Sequence, residues 1–384
     1  MSLIDKSILF IFFISCSNNK IIPIENEQIC DININVNNVK ESYDIATQVE
    51  QDFEIIPLAT NDSCLIGGAF KVIFKNNIFY ILDKLSNQVV LFDQSGKYIS
   101  KLHRVGQGPE EYIRIEDFIV VDKDIWICDN SIKKLICYDE NYNVTDIVNN
   151  GSWVYGIEYK KPYIYMVNNW IPTEENNYQL RIYSTENKKI KSLFSFDNLD
   201  DNAQHMGIRR QIAHSGDSPL FIVSYNDAIY EINDNTFLAK YKFNFSERFY
   251  SKPLKVDEKR NPDHITGIVE LVETPRSIIL LYVENRESRY AVYNKKEKVC
   301  NIYSELINSD FSNMILHPES LDQNEFIAIK DPLELLNFYS RKEFINGHFA
   351  NKSKEKEYKD ILLTLKEDDN PIIFRFKFKK DAKL

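Results

Sequence analysis

Two parts of the chain repeat one pattern 46 residues apart, and this repeat restricts the folds that the sequence can adopt. An apolar run ends in Asp83, and a second apolar run ends in Asp93, ten residues further on. The same two runs recur before Asp129 and Asp139. Short apolar segments with a period of about 40–50 residues are typical of β-propeller blades and of similar arrays.

Weaker copies of this unit follow, and a short polar turn precedes each of their apolar runs. The first runs of these copies begin near residues 163, 220, 277 and 325. The unit is strand, tight turn, strand, loop, strand, tight turn, strand, and six such units fit the 384 residues. The runs do not alternate between apolar and polar residues, which indicates strands that are covered on both faces. We therefore predict an all-β, six-bladed β-propeller with four-stranded antiparallel blades.

An insertion interrupts the sixth unit. Helical periodicity indicates a small helical insertion at about residues 333–366. A strand follows in which Phe374, Phe376 and Phe378 share one face and basic residues share the other. We interpret the basic face as protection of a sheet edge rather than as a binding patch. This blade lacks one strand, which residues 53–58 can supply, so we expect N- and C-terminal strands to close a propeller over residues 52–380.

The N-terminus has the features of an export signal. Residues 7–15 are an apolar run, too short for a transmembrane helix of about 20 residues but suited to a signal peptide. The segment Phe13-Ile14-Ser15-Cys16 resembles a bacterial lipobox, in which the cysteine carries the lipid. The prediction is a lipoprotein signal peptide at 1–15, a lipid on Cys16 and a flexible tether over residues 16–51. An uncleaved apolar leader or a misassigned start is the alternative.

Five cysteines remain after removal of residues 1–15 and beyond the lipidated Cys16, and none has metal-ligand spacing. They are Cys30, Cys64, Cys128, Cys137 and Cys300. Cys128 and Cys137 lie in predicted strands, where a free cysteine is usually a small buried hydrophobe. A disulfide between these two residues is the alternative, since an exported protein meets an oxidising compartment.

The net charge of −10 argues against a nucleic-acid partner, because phosphate binding needs positive charge. We interpret this acidity as a contribution to solubility. The aromatic residues are mostly Tyr (22) and Phe (24), which favour strands.

Two motifs resemble a known family. Asp83, Asn87 and residues 89–97 resemble an NHL-type propeller repeat. Together with the segment 104–112 (RVGQGPEEY), the lipobox-like start and the strand after residue 369, they make the chain resemble the six-bladed β-propeller lipoproteins of Bacteroidetes. This resemblance implies the fold and a lipid-anchored location in the cell envelope, most simply the outer membrane. It implies no established reaction, so no catalytic residue is carried over.

The order of strands predicts which face binds a ligand. In each blade, the loop between the second and third strands emerges on the same face as the connector to the next blade. The long loops collect on this face, and such loops often carry function. The candidate ligand-binding residues on it are Arg104, Glu110, Glu111, Tyr112, Trp153, Trp170, His205 and His264.

Several of these residues have a structural interpretation as well. In the segment 104–112 the glycines are expected to supply positive φ, the proline to fix a turn and Tyr112 to pack between blades. Asp83 and Asp129 are expected to cap turns rather than to form an acidic ring around a cation. Trp153 and Trp170 are suited to stacking on a sugar or aromatic ligand, but also to anchoring a loop.

The sequence supports two functions of different class. The first is a lipid-anchored envelope propeller, monomeric and held to the membrane by its lipid only, that binds a protein or glycan partner through the loop face. The alternative is a metal-dependent enzyme of the lactonase or lyase type with a divalent cation in the channel. The repeats do not bring together the carboxylates or histidines that this enzyme needs, so we assign no metal, cofactor or catalytic residue. A purely structural role in an envelope assembly is a third reading.

Overall fold

The structure is a computed structural model, and the chain forms six sheets, with antiparallel core strands, that are arranged as blades in a ring. The residues that the structure describes are 29–168, 177–195, 212–215, 218–223, 226–233, 236–245, 249, 265–284, 287–311, 314–315, 320–321, 325–339 and 349–379. Each blade has four core strands. The predicted six-bladed, four-stranded β-propeller is therefore confirmed.

The strands and helices have the following bounds. Three strands precede the blades: β1 (Cys30–Asn33), β2 (Val39–Asp44) and β3 (Glu54–Pro57), with a short 3-10 helix (Ile45–Thr47) after β2. Blade 1 contains β4 (Ala69–Lys75), β5 (Ile78–Asp83), β6 (Gln88–Asp93) and β7 (Tyr98–Leu102). Blade 2 contains β8 (Asp117–Val121), β9 (Asp124–Asp129), β10 (Lys134–Tyr138) and β11 (Val144–Asn149). Blade 3 contains β12 (Gly156–Lys160), β13 (Tyr163–Val167), β14 (Tyr178–Ser184) and β15 (Ile190–Ser195).

Blades 4 to 6 continue in the same way. Blade 4 contains β16 (Ile212–Ser215), β17 (Ser218–Ile222), β18 (Ala228–Asn233) and β19 (Thr236–Asn244). Blade 5 contains β20 (Ile265–Glu273), β21 (Ser277–Glu284), β22 (Glu287–Asn294) and β23 (Val299–Asn308), with β24 (Met314–Ile315) beside β23. Blade 6 contains β25 (Ser320–Leu321), β26 (Glu325–Lys330), β27 (Ile372–Lys377) and, as its outermost strand, β3.

The hydrophobic core is divided into six clusters, and each lies between two neighbouring blades. Blades 1 and 2, for example, meet in a cluster that includes Leu82 and Phe118, and blades 6 and 1 meet in one that includes Ile373 and Phe79. The other four clusters join the remaining neighbours in turn. Each blade is thus apolar on both faces, which is why the strand sequences are continuous apolar runs.

The two ends of the chain close the ring, as predicted. Strand β3 pairs with β27 in antiparallel register, and Phe374 lies opposite Ile55. Because β3 covers it, β27 is not an edge strand, and the interpretation of its basic face as edge protection is wrong. Arg375 instead forms ion pairs with Glu54 at 3.0 Å and with Glu325 at 3.3 Å.

Residues 29–57 form an N-terminal belt along the outer rim of three blades. In the belt, β1 pairs in parallel with β19 of blade 4, β2 pairs in parallel with β23 of blade 5, and β3 completes blade 6. The apolar side chains Ile32, Ile34 and Val36 are buried between blades 4 and 5. The prediction of a flexible tether is therefore wrong for residues 29–51. In the sequence, the buried apolar residues of this segment alternate with polar residues, so the segment resembles a linker. Residues 1–28, including the predicted signal peptide and Cys16, lie outside the described residues.

The helical insertion lies between β26 and β27, close to the predicted residues. Its helices are α1 (Pro332–Tyr339) and α2 (Lys352–Thr364), and Asn351 caps α2 by accepting hydrogen bonds from the backbone N–H groups of Ser353 and Lys354. Tyr358 of α2 is fully buried and packs edge-on against Phe311 at 4.9 Å. In the described part of the chain, neither helix is long and apolar enough to cross a membrane.

Candidate ligand-binding face

Two aspartates bind the connectors between blades to the loops beside them. The buried carboxylate of Asp83 accepts hydrogen bonds from the backbone N–H groups of Gly67 and Gly68 at 2.9 and 3.1 Å. Asp129, 46 residues later, accepts from Ile113 and Arg114 at 2.6 and 3.2 Å. Both also accept from N–H groups of the loop that follows them. The predicted capping role of these two carboxylates is therefore confirmed.

Asparagines take over this role in other blades. Asn168 of blade 3 donates from Nδ2 to Ser152 Oγ at 2.8 Å and to the carbonyl oxygen of Trp153 at 2.7 Å. Asn370 of blade 6 accepts from the N–H of Ile66 and donates to the carbonyl oxygens of Ala59 and Cys64. An amide both donates and accepts, so it suits a connector that presents both kinds of group.

These contacts place the connectors and the second-to-third-strand loops together, and we call this surface the connector face. The contacts establish it in blades 1, 2, 3 and 6, as strand order predicts. At the outer rim, the connectors are less well separated from the tight turns than strand order predicts. The carbonyl oxygen of Gly96, in a tight turn of blade 1, accepts from the N–H of Ala59, and the Tyr138 hydroxyl donates to the carbonyl oxygen of Glu110.

The glycines of segment 104–112 serve close packing and not positive φ. The described glycines with positive φ are Gly96, Gly151 and Gly267, so that part of the prediction is wrong for Gly106 and Gly108. A Cβ on Gly106 would lie 1.8 Å from Glu111 Oε2. This oxygen accepts a hydrogen bond from the N–H of Gly108 at 2.8 Å. Glycine is needed here because the Glu111 carboxylate folds back onto the loop.

Tyr112 is a packing residue between blades 1 and 2. It is fully buried, and its hydroxyl donates to the carbonyl oxygen of Asn87 at 3.0 Å. Its ring meets Tyr138 edge-on at 6.3 Å, and burial raises the pKa of its hydroxyl. A side chain without solvent exposure cannot touch a ligand, so its assignment as a ligand-binding residue is corrected to packing between blades. Glu111 is partly buried and holds the loop, whereas Arg104 and Glu110 are exposed.

The structure places one of the four other candidate residues on the face. Trp153 lies in the connector between blades 2 and 3, and 44% of its surface is exposed. Trp170, His205 and His264 lie outside the described residues.

Sequence reasoning missed a group of exposed apolar side chains on the connector face. We call this group the connector patch, and it consists of Leu65, Phe70, Leu85, Val105, Ile113 and Trp153. Leu85 is 79% exposed, and its side chain lies against Gly67 and Gly68 of the facing connector. Apolar residues within predicted polar loops are the sequence signal that points to such a patch.

The innermost strands are joined by lysines. Lys71 of β4 forms an ion pair with Asp117 of β8 at 2.9 Å and donates to the carbonyl oxygens of Phe118 and Ile157 at 2.9 and 3.5 Å. Asp117 also accepts from the N–H of Ile157, on the innermost strand of blade 3, at 2.7 Å. This pair therefore satisfies backbone groups on the inner edges of blades 2 and 3. Among the described residues, no three His, Cys, Asp or Glu side chains are grouped to hold a metal ion.

The two strand cysteines of blade 2 are free thiols. Cys128 lies opposite Leu135, and Cys137 lies opposite Trp126, so the two are not directly paired across the strands. Both are buried in the cluster between blades 2 and 3, and burial raises the pKa of the Cys137 thiol to about 12. The interpretation as small buried hydrophobes is confirmed, and the alternative of a disulfide between them is wrong.

The fold and the connector face define a six-bladed propeller, and comparison with known proteins places the chain in a family. The family model for the domain of unknown function DUF4934 matches residues 29–377, and the chain belongs to this family. A search of curated proteins gives no match.

Solved structures of similar fold come from Bacteroides. A protein of Bacteroides fragilis NCTC 9343, described as exported, matches with a TM-score of 0.67 and 16% identity over 92% of this chain and 100% of that chain. A member of the DUF4221 family from Bacteroides vulgatus ATCC 8482 matches with a TM-score of 0.49 and 10% identity over 87% and 98%. At these identities, the likeness to the first protein shows the propeller fold. The NHL-type repeat and the lipid on Cys16 stay predictions.

Proposed function

We propose that this protein is a binding module of the cell envelope, anchored by a lipid on Cys16, whose connector face holds a protein partner. The observation that carries the proposal is the connector patch, six exposed apolar side chains on the loops and strand ends of one face. Soluble monomers rarely expose large contiguous apolar surfaces unless they bind something there. Location at the outer membrane is part of the proposal, and it is supported by the lipobox-like residues 13–16.

The composition of the patch favours a protein over other ligands. Aliphatic residues such as Leu85, Val105 and Ile113 gain free energy by leaving water, and a protein surface can cover all of them at once. Trp153 is a suitable anchor for such a partner, because tryptophans often dominate the binding free energy of an interface. Arg104 and Glu110 lie on the neighbouring connector and supply a charged rim.

A glycan is the second candidate partner, and the observation that favours it is the exposure of Trp153. An exposed indole ring can stack on the apolar face of a sugar. Glycan binding would depend on Trp153 and would be insensitive to changes at Leu85.

Capture of envelope proteins tests the proposal. Immobilised protein is incubated with solubilised envelope proteins of the producing bacterium, and the bound proteins are identified by mass spectrometry. We expect Leu85→Glu to lower capture of a specific partner at least about tenfold, since it places a charge in the contact. Leu363→Glu, on α2 outside the patch and similarly exposed at 83%, is the matched control and should retain capture.

Point variants are better suited than removal of the insertion. Tyr358 and Leu335 of the insertion are buried in the core between blades 5 and 6, so deleting residues 333–366 would also damage the fold. Equal capture by the wild type and by Leu85→Glu would contradict the proposed role of the patch. Binding to a glycan array that is lost only in Trp153→Ala would identify a glycan instead.

A further inference from the structure

The belt covers the outer edges of three blades and leaves those of the other three open. Strands β1 and β2 pair with the outermost strands of blades 4 and 5, and β3 completes blade 6. In the described part of the chain, no strand pairs with the outer edges of β7, β11 and β15, which end blades 1, 2 and 3. An open edge presents backbone N–H and C=O groups that can bind a further strand.

Of these three edges, that of β15 lies next in the course of the belt. Traced backwards, the belt passes from blade 6 to blade 5 and then to blade 4. Ile29, the first described residue, packs against the cluster between blades 3 and 4, and Leu193 of β15 belongs to the same cluster. The chain before Ile29 therefore starts from the boundary between blade 4 and blade 3.

Alternate residues of β15 direct their backbone groups to this outer edge. The carbonyl oxygen of Lys189 accepts a hydrogen bond from the N–H of Ser184 on β14, and the register of the two strands stays constant along β15. Backbone groups alternate in direction along a strand, so every second residue after Lys189, beginning with its neighbour, faces away from β14. These residues are Ile190, Ser192 and Phe194.

The spacing of the belt strands places a candidate partner for this edge before β1. Strand β1 ends at Asn33, and β2 begins at Val39, six residues later. The same step back from Cys30, where β1 begins, leads to Ile24. Residues 21–24 (IIPI) contain three isoleucines, and isoleucine is among the residues that favour strands.

Pro23 determines which side of this segment can bind. Proline has no N–H, so in a sheet it occupies edge strands at positions where that group would face solvent. With the backbone of Pro23 directed outward, the N–H and C=O groups of Ile22 and Ile24 face the neighbouring strand. An outward proline also protects the newly formed edge from a further strand.

We propose that residues 21–24 form a strand that pairs in parallel with the outer edge of β15 in blade 3. The pairing is parallel because β15 is the fourth strand of its blade, as β19 and β23 are of theirs, and both of these accept parallel strands from the N-terminal segment. The occupant belongs to the same chain and is joined to β1 by a short linker, so its effective concentration at the edge is high.

The pairing would hold the rim of blade 3 close to the membrane. This consequence rests on the proposed function, because it requires a lipid on Cys16. Five residue steps separate Cys16 from Ile21 and span at most about 18 Å, whereas the 13 steps from Cys16 to Ile29 span up to about 47 Å. Blade 3 would then be the side of the ring nearest to the anchor.

Hydrogen–deuterium exchange followed by mass spectrometry tests the proposal on the protein with residues 16–384. Ile22→Pro removes an N–H that faces β15, and Ile21→Pro, the matched control, removes one that faces solvent. We expect Ile22→Pro to accelerate exchange of the outward-facing N–H groups of β15 at least about tenfold, and Ile21→Pro to leave it unchanged. Peptides from β1 and β19 should exchange equally in the wild type and both variants, which shows that the belt remains folded.

Unprotected N–H groups at Ile22 and Ile24 in the wild type, or equal exchange at β15 in the wild type and Ile22→Pro, would overturn the proposal. Protection of β15 that both variants keep and that rises with protein concentration would overturn it too, because a second copy would then cover the edge.

The readout is local and separate from the other tests. Pairing of so short a strand is a local equilibrium that is lost below the Tm of the ring, so it changes exchange at β15 and leaves Tm unchanged. The assay needs neither the lipid nor a partner, so its outcome is independent of the capture experiment with Leu85→Glu.

Discussion

The carboxylate of Asp83 binds both the connector before β4 and the loop after β5. Its two oxygens accept hydrogen bonds from four backbone N–H groups, those of Gly67, Gly68, Leu85 and Ser86. The side chain of Asp83 is fully buried. Together with Asn370, which binds Ala59, Cys64 and Ile66, Asp83 holds the connector between blades 6 and 1 in place.

Replacing Asp83 with alanine should destabilise the protein strongly. We expect Asp83→Ala to lower the free energy of unfolding by about 3 kcal/mol, because it removes the acceptor of four backbone N–H groups. Chemical denaturation followed by circular dichroism measures the change. The control Asp360→Ala, at an exposed position of α2, should change it by less than about 0.5 kcal/mol. Similar losses for both variants would contradict the capping role.

Gly106 and Glu111 should behave as one unit. Gly106→Ala displaces the Glu111 carboxylate and so breaks its bond to the N–H of Gly108, which Glu111→Ala breaks directly. Each change should cost about 1 kcal/mol of stability, and the double variant should cost little more than either alone. A double-mutant cycle by thermal denaturation measures this coupling. Additive losses would show that the two residues act separately.

The two sites differ in how far the sequence predicts them. Asp83 and Asp129 end apolar runs, and an aspartate in that position is a frequent turn cap, so their role could be predicted. The contact between Gly106 and Glu111 depends on the path of the loop in space. Glycine is more often required by a positive φ than by close packing, and the sequence alone does not distinguish these two requirements.

At the scale of elements, the belt differs most from the sequence prediction. Strands β1 and β2 pair in parallel with strands more than 200 residues away, and no local pattern reports such a pairing. Their polar, Asn-rich surroundings are typical of a linker. The strands of the blades were easier to predict, because their runs are apolar on both faces.

Truncation separates the belt from the segment before it. Removing residues 1–28 should leave Tm unchanged, since it removes none of the belt. Removing residues 1–51 should lower Tm by several degrees or more, because it uncovers the apolar clusters that Ile32, Ile34 and Ile45 help to fill. Differential scanning calorimetry of both truncated proteins gives the comparison. Equal Tm values would mean that the belt contributes nothing to stability.

At the scale of the whole molecule, strand order alone predicted which loops share a face, because the parity of antiparallel strands leaves no choice. It did not predict the connector patch. Residues such as Leu65, Ile113 and Trp153 lie in different connectors, far apart in the sequence. Only the closed ring brings these loops together.

The inner edge of the ring should not need a metal ion for stability. The ammonium group of Lys71 already binds Asp117 and carbonyl oxygens on the innermost strands of blades 2 and 3. We therefore expect a chelator, and added Ca²⁺, to change Tm by less than about 1 °C. Calorimetry with and without EDTA checks this. A marked fall in Tm with EDTA, reversed by Ca²⁺, would favour the metal-dependent enzyme instead.

The belt also determines the order in which the molecule can be completed. Residues 29–57 leave the ribosome before any of the strands that they pair with. β1 has to wait for β19, β2 for β23 and β3 for β27, the last strand of the chain. Export of an extended chain is compatible with this order, because β1 has no partner until residue 244 has followed it and β3 has none until residue 375 has.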